Sequence, residues 1–154
     1  MKKIIFGVVL LSGFVSSSYA LEISESMVGK YVGMKFPKSM AGVQVTAPKV
    51  TLLEGKANFC ALARPKLFPK DIEFCTNLTP QWRQETGSLL GTNMTLLSLN
   101  VPGVADKYVE IAKKVINQSV LPALEGTEVY KVDNFIGKRV STVQVTPGKL
   151  NLSF

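Results

Sequence analysis

Cys60 and Cys75 are the only cysteines in the chain, and each lies in a run that alternates apolar with polar residues as β-strands do. Setting them opposite each other in an antiparallel hairpin dictates the remaining neighbours. Asn58 then meets Asn77, Phe59 meets Thr76, Ala61 meets Phe74, Ala63 meets Ile72 and Arg64 meets Asp71. Apolar residues face mainly apolar ones on one side, and a cation faces an acid at the far end. A slip of one residue would send Phe59 and Phe74 to opposite faces. The expected loop runs from Pro65 to Lys70, and a crosslink closing about sixteen residues contributes roughly 3 kcal/mol through lost chain entropy. With no Cys-x-x-Cys motif, a structural staple is expected rather than a redox centre.

Oxidation of that pair agrees with the amino terminus. Lys2 and Lys3 precede an apolar run from Ile4 to Val15, and Ser18-Tyr19-Ala20 follows with small residues three and one before a cut. This is the pattern of a secretory signal peptide cleaved after Ala20, which predicts a periplasmic or secreted protein in which disulfides form. Leu21 stands where a lipidated protein would carry cysteine, so no acyl anchor is expected. Residues 21–154 are expected to form one domain. No later apolar stretch is long enough to span a bilayer. Without Lys2 and Lys3 the 18 Lys and Arg become 16 against 11 acids, a balance of +5. Export removes nucleic acid from the expected partners, and the modest positive charge is that of an ordinary solvated surface with some attraction for envelope polyanions.

Along the chain, Ser24 reads as a helix N-cap, with Ile23 and Val28 forming a hydrophobic staple. Met27, Val28, Tyr31 and Val32 follow as one apolar stripe. Strands are predicted over Val43–Ala47, Val50–Leu53, Lys56–Arg64, Asp71–Trp82 and Ser88–Val101. The turn before the last of these is Gln84 to Gly87, with glycine for a positive φ. Short joins favour an antiparallel meander. The longest helical pattern runs from Val104 to about Leu121, where Leu121-Pro122 ends or kinks it. It carries two apolar ridges, one of Val104, Tyr108, Ile111 and Val115 and one of Ala105, Val109, Ala112, Ile116 and Val120. So wide an apolar surface predicts cover on more than one side. Glu128–Val132 reads as a further strand, and Val140–Val145 with Leu150–Phe154 as a terminal hairpin.

The chain has no histidine, which excludes the commonest general base and most zinc sites. Asp71 and Glu73 sit two apart on an outer strand face, as solvated carboxylates do. There is no Gly-x-Ser-x-Gly elbow and no phosphate-cradling glycine loop. A non-catalytic protein without cofactor or metal is expected. What remains is apolar surface. Phe59, Ala61, Phe74, Leu78, Leu97 and Leu99 from the strands, facing Tyr108, Val109, Ala112 and Ile116 from the helix, would make either a filled core or the lining of a site for a lipid or other hydrophobic molecule.

Several short segments together resemble the YceB-like family of exported bacterial proteins, a domain of unknown function. They are Ile23-Ser24-Glu25-Ser26, Leu52-Leu53 before Gly55-Lys56-Ala57, the strand-turn-strand from Pro80 to Leu90, Asn117-Gln118-Ser119, and the ending Val143 to Phe154. The family in turn resembles tubular lipid-binding (TULIP-like) proteins. That resemblance implies an α+β fold in which a curved antiparallel sheet wraps one long helix, here Val104–Leu121 in the C-terminal half, with a short N-terminal helix beside it. It also implies binding of a hydrophobic ligand. The alternative is an interaction module for an envelope protein, such as an inhibitor or immunity protein, with protruding loops at Pro65–Lys70 and Gln84–Gly87.

Overall fold

Six antiparallel strands, each hydrogen-bonded to the next along the chain, form the main sheet of the computed structural model, which describes residues 21–66 and 70–154. They are β2 (Lys38–Met40), β3 (Val43–Leu52), β4 (Ala57–Pro65), β5 (Ile72–Arg83), β6 (Ser88–Asn100) and β7 (Thr127–Lys131). A second sheet of three strands, in the order β1 (Leu21–Ser24), β9 (Lys149–Ser153), β8 (Thr142–Thr146), closes one end. The expected signal peptide and residues 67–69 of the expected Pro65–Lys70 loop lie outside the described residues.

The cysteine-based register is the one observed. Cys60 pairs with Cys75, Asn58 with Asn77, Phe59 with Thr76, Ala61 with Phe74 and Ala63 with Ile72. The two sulfurs stand at bonding distance, 2.11 Å. Beyond the last ladder pair, Arg64 grips Asp71 through two contacts of 2.7 and 3.1 Å. That pair is exposed, so it aligns the strand ends more than it stabilises them. The inward residues Phe59, Ala61, Ala63, Ile72, Phe74 and Leu78 are all buried.

The expected α+β fold with a sheet wrapped around Val104–Leu121 does not hold. The chain is mostly β, 51% strand against 24% helix, and its main sheet is a half-barrel of six strands. The element that closes the concave side is the N-terminal helix α1 (Glu25–Gly33), which packs against β3 near one edge and β7 at the other. Ser24 caps it, accepting from the Met27 N–H at 3.2 Å. Pairing of β1 with β9 carries α1 into this position, and Val28 and Val32 are buried there.

The long helix runs as α2 (Asp106–Val115), a π-helical turn (Ile116–Val120) and α3 (Leu121–Leu124). The second ridge is the more deeply covered: Ala112, Ile116 and Val120 are fully buried, whereas on the first Val104 and Val115 only half-bury against the core and Ile111 is 46% exposed. Hydropathy recorded how much of the helix is apolar but not how much of it the neighbours could reach. Pro122 does not end the helix either. It sits in the first turn of α3, where a missing N–H costs little, and the π turn before it absorbs the change in pitch.

Two further boundaries moved. The two strands expected around Ala47 are one, β3, with an irregularity between Thr46 and Lys49; Pro48 lacks the N–H that a regular ladder would use. The terminal hairpin formed as expected, and its turn is tied to the main sheet because Gly148 N–H donates to the Leu52 carbonyl at 3.2 Å.

Replacing Cys60 and Cys75 together with alanine is expected to lower unfolding stability by about 3 kcal/mol, since the loop they close is freed in the unfolded chain. Urea denaturation of the oxidised, reduced and Cys60→Ala/Cys75→Ala proteins checks this, the last two being expected to coincide.

Candidate functional site

The residues predicted to line a ligand site divide into two groups. Phe59, Ala61, Phe74, Leu78, Ala112 and Ile116 are buried core, where the rings of Phe36, Phe59 and Phe74 follow one another with centroids 5.8 and 6.3 Å apart. Leu99, Tyr108 and Val109 are half-buried, and Leu97 is 53% exposed. Leu97 is the extra residue of an irregularity in β6, since Thr76 pairs with Leu96 and Cys75 with Ser98. Simple alternation cannot register such a bulge. The structure therefore gathers the first group as packed interior and leaves the second half-buried or exposed, with Leu99 lining a separate depression beside Ala61 and Phe74.

One polar cluster lies between helix and sheet. The Glu128 carboxylate on β7 accepts from the Tyr31 hydroxyl on α1 and from Ser88 Oγ on β6, the latter at 2.6 Å. Lys35 Nζ lies 3.6 Å from the same carboxylate and 5.1 Å from the centre of the Tyr31 ring, and Tyr130 packs on that ring at 5.6 Å. Burial pushes the Tyr31 phenol up to about 12, with the Glu128 carboxylate adding to the rise. For Glu128 itself, burial acts to raise the carboxyl, but the donors Ser88 and Tyr31 and the charges of Lys35 and Lys131 outweigh it and hold it below its ordinary value. Ser88 is 1% exposed, so no substrate reaches its hydroxyl. The cluster is a clamp fastening α1 to β6 and β7 across the half-barrel. In the sequence Tyr31 belonged to an apolar stripe and Glu128 to a strand start, and nothing in their spacing joined them.

The second feature is an edge. β6 extends from Ser88 to Asn100, but β7 pairs only with its first four residues, Ser88 to Gly91. From Thr92 to Asn100 no described strand pairs with β6 on that side. At the break Asn93 has a positive φ of 51°, and the Glu125 carboxylate accepts the backbone N–H groups of Asn93 and Met94 at 2.8 and 3.2 Å. The helical stretch from Asp106 to Leu124 returns beside the open edge; its 19 residues span about 28 Å, close to the roughly 30 Å of nine extended residues.

Between strand and helix runs an open groove of about 590 Å³, walled by Met94, Thr95 and Leu96 on one side and by Lys113, Asn117, Leu121, Pro122 and Glu125 on the other. Lys113, Asn117 and Leu121 are successive i, i+4 positions and so form one helical ridge. Lys113 is paired with Glu110 at 3.3 Å. The signal that could have revealed the edge was a mismatch in strand length, thirteen residues in β6 against five in β7.

Searches against protein-family models and curated proteins match nothing to this chain, so the YceB-like resemblance rests on its short motifs. Among the described residues there is no group of three His, Cys, Asp or Glu placed to hold a metal, and no helix long and apolar enough to cross a membrane.

The clamp carries a pH signature at both ends. The Tyr31 phenol titrates higher folded than its ordinary 10.0, so its contribution is complete below about pH 10 and is lost as pH rises through about 12. The Glu128 carboxyl titrates lower folded than its ordinary 4.5, so its contribution is present above that value and is lost as pH falls through the depressed one. Tyr31→Phe is expected to cost about 1 kcal/mol near pH 7, a difference that shrinks at strongly alkaline pH. Urea denaturation across pH, with phenolate absorbance reporting the loss of one late-titrating tyrosine, checks both.

Proposed function

We propose that this protein is a non-catalytic interaction module that takes an extended segment of a partner polypeptide as an added strand along β6, in the groove beside α2. The observation that supports this most directly is the open edge from Thr92 to Asn100. Proteins ordinarily protect such edges with charged residues or proline, and Thr-Asn-Met-Thr-Leu-Leu-Ser-Leu-Asn contains neither. Beyond the two amides that Glu125 holds, an incoming strand would find backbone groups without a strand partner for affinity and the half-buried side chains of Met94 and Leu96 for selectivity, the usual division of labour in strand addition. Export, as expected from residues 1–20, would place that partner in the cell envelope.

A hydrophobic small molecule as ligand has weaker support. Six of the ten residues expected to line its site are close-packed core, and the described surface depressions, about 330 to 590 Å³, open outward.

A displayed library of random decapeptides, panned against the protein, is expected to enrich alternating apolar sequences that bind the groove. Asn117→Trp fills the groove from an exposed helix position, and it should weaken the enriched peptides at least tenfold in fluorescence polarisation while leaving the melting temperature unchanged. Enriched peptides that bind this variant as well as the parent, or a failure to enrich any, would overturn the proposal.

A further inference from the structure

At the end of the molecule away from the β6 groove, the β5–β6 turn and the single-turn helix α4 (Asn134–Gly137) are locked backbone to backbone. A Cβ on Gly137 would lie 2.4 Å from the Gly87 Cα, so only glycine permits this approach, and Gly87 also takes a positive φ of 66°. The Val132 N–H donates to the Gly87 carbonyl at 2.9 Å, and Gln84 Nε2 donates to the carbonyls of Lys138 and Val140 at 2.8 and 3.3 Å. Asp133 caps the turn, accepting from the Phe135 N–H at 2.8 Å.

With Gly137 facing inward, the two preceding side chains are held outward. Phe135 is 65% exposed and Ile136 38%. Cations lie on the same end of the fold. The Arg139 guanidinium lies 4.2 Å from the centre of the Phe135 ring, Lys138 is exposed beside it, and Arg83 and Lys131 flank Ser88 on neighbouring strands. The acids of this tip are Glu85, Asp133 and Glu128, the last bonded to Ser88, so four cations stand against three acids.

We propose that this tip docks on anionic phospholipid surfaces, Phe135 and Ile136 entering the boundary between headgroups and acyl chains while Lys138, Arg139, Lys131 and Arg83 meet lipid phosphates. A rigid apolar prong with long cationic side chains on the same end suits that interface, because the aliphatic stems lie along the apolar layer while the charged heads remain among the headgroups. The attraction to an anionic leaflet is electrostatic and falls with salt. The proposal does not depend on strand addition at β6.

Residues 21–154, which contain every described element, are sedimented with vesicles of phosphatidylglycerol and phosphatidylcholine in equal parts and, separately, with phosphatidylcholine alone. Binding is expected on the anionic vesicles, at least tenfold weaker on the neutral ones, and released by 0.5 M salt. Phe135→Ser and the double variant Lys138→Gln/Arg139→Gln should each reduce it at least fivefold, whereas Met34→Ser, a change at the exposed residue that follows α1, should not. Absence of binding to anionic vesicles, equal binding to neutral ones, or undiminished binding by Phe135→Ser would each overturn the proposal.

Discussion

Burial of Val28 and Val32 against the concave side of the main sheet is the contact on which the remaining packing depends. A curled sheet of six strands has an inner face that must be covered, and a helix presenting two valines one turn apart, delivered by a strand that is itself paired, does so at short range. Once α1 occupies that side, the Tyr31 hydroxyl reaches the Glu128 carboxylate on the last strand. Helix and sheet are then joined at both margins, by side-chain packing at β3 and by a hydrogen-bonded carboxylate at β7.

The second helix joins the same core from beside β6. α2 and the π turn lie beside β6, burying Ala112, Ile116 and Val120 and half-burying Val104 and Val115, with Ile111 left to solvent. The helical stretch runs beside the part of β6 that β7 does not pair. Glu125 satisfies two of the freed amides at the break, and beyond it the edge stays open.

The two candidate surfaces differ in kind. At β6 the available chemistry is backbone hydrogen bonding with modest apolar relief, suited to an extended chain. At the Gly87–Gly137 contact the backbone is already saturated and only side chains project, two apolar and several cationic, suited to an interface between oil and charge. Neither surface has a nucleophile beside a base, and the one well-connected carboxylate, Glu128, is engaged in holding elements together.

The β4–β5 register, the Ser24 cap, the Gln84–Gly87 turn and the terminal hairpin were legible in the residues alone, because each depends on contacts between neighbours in the chain or across one hairpin. Alternation in β4 and β5 has a single solution once Cys60 faces Cys75, and Ser24 carries its capping oxygen wherever the helix goes. The helix that fills the half-barrel, the bulge that turns Leu97 outward, the Tyr31–Glu128–Ser88 clamp and the open edge of β6 were decided only in three dimensions. Each depends on surfaces brought together across many residues, 97 between Tyr31 and Glu128, and hydrophobic periodicity states that a face must be covered without stating by what.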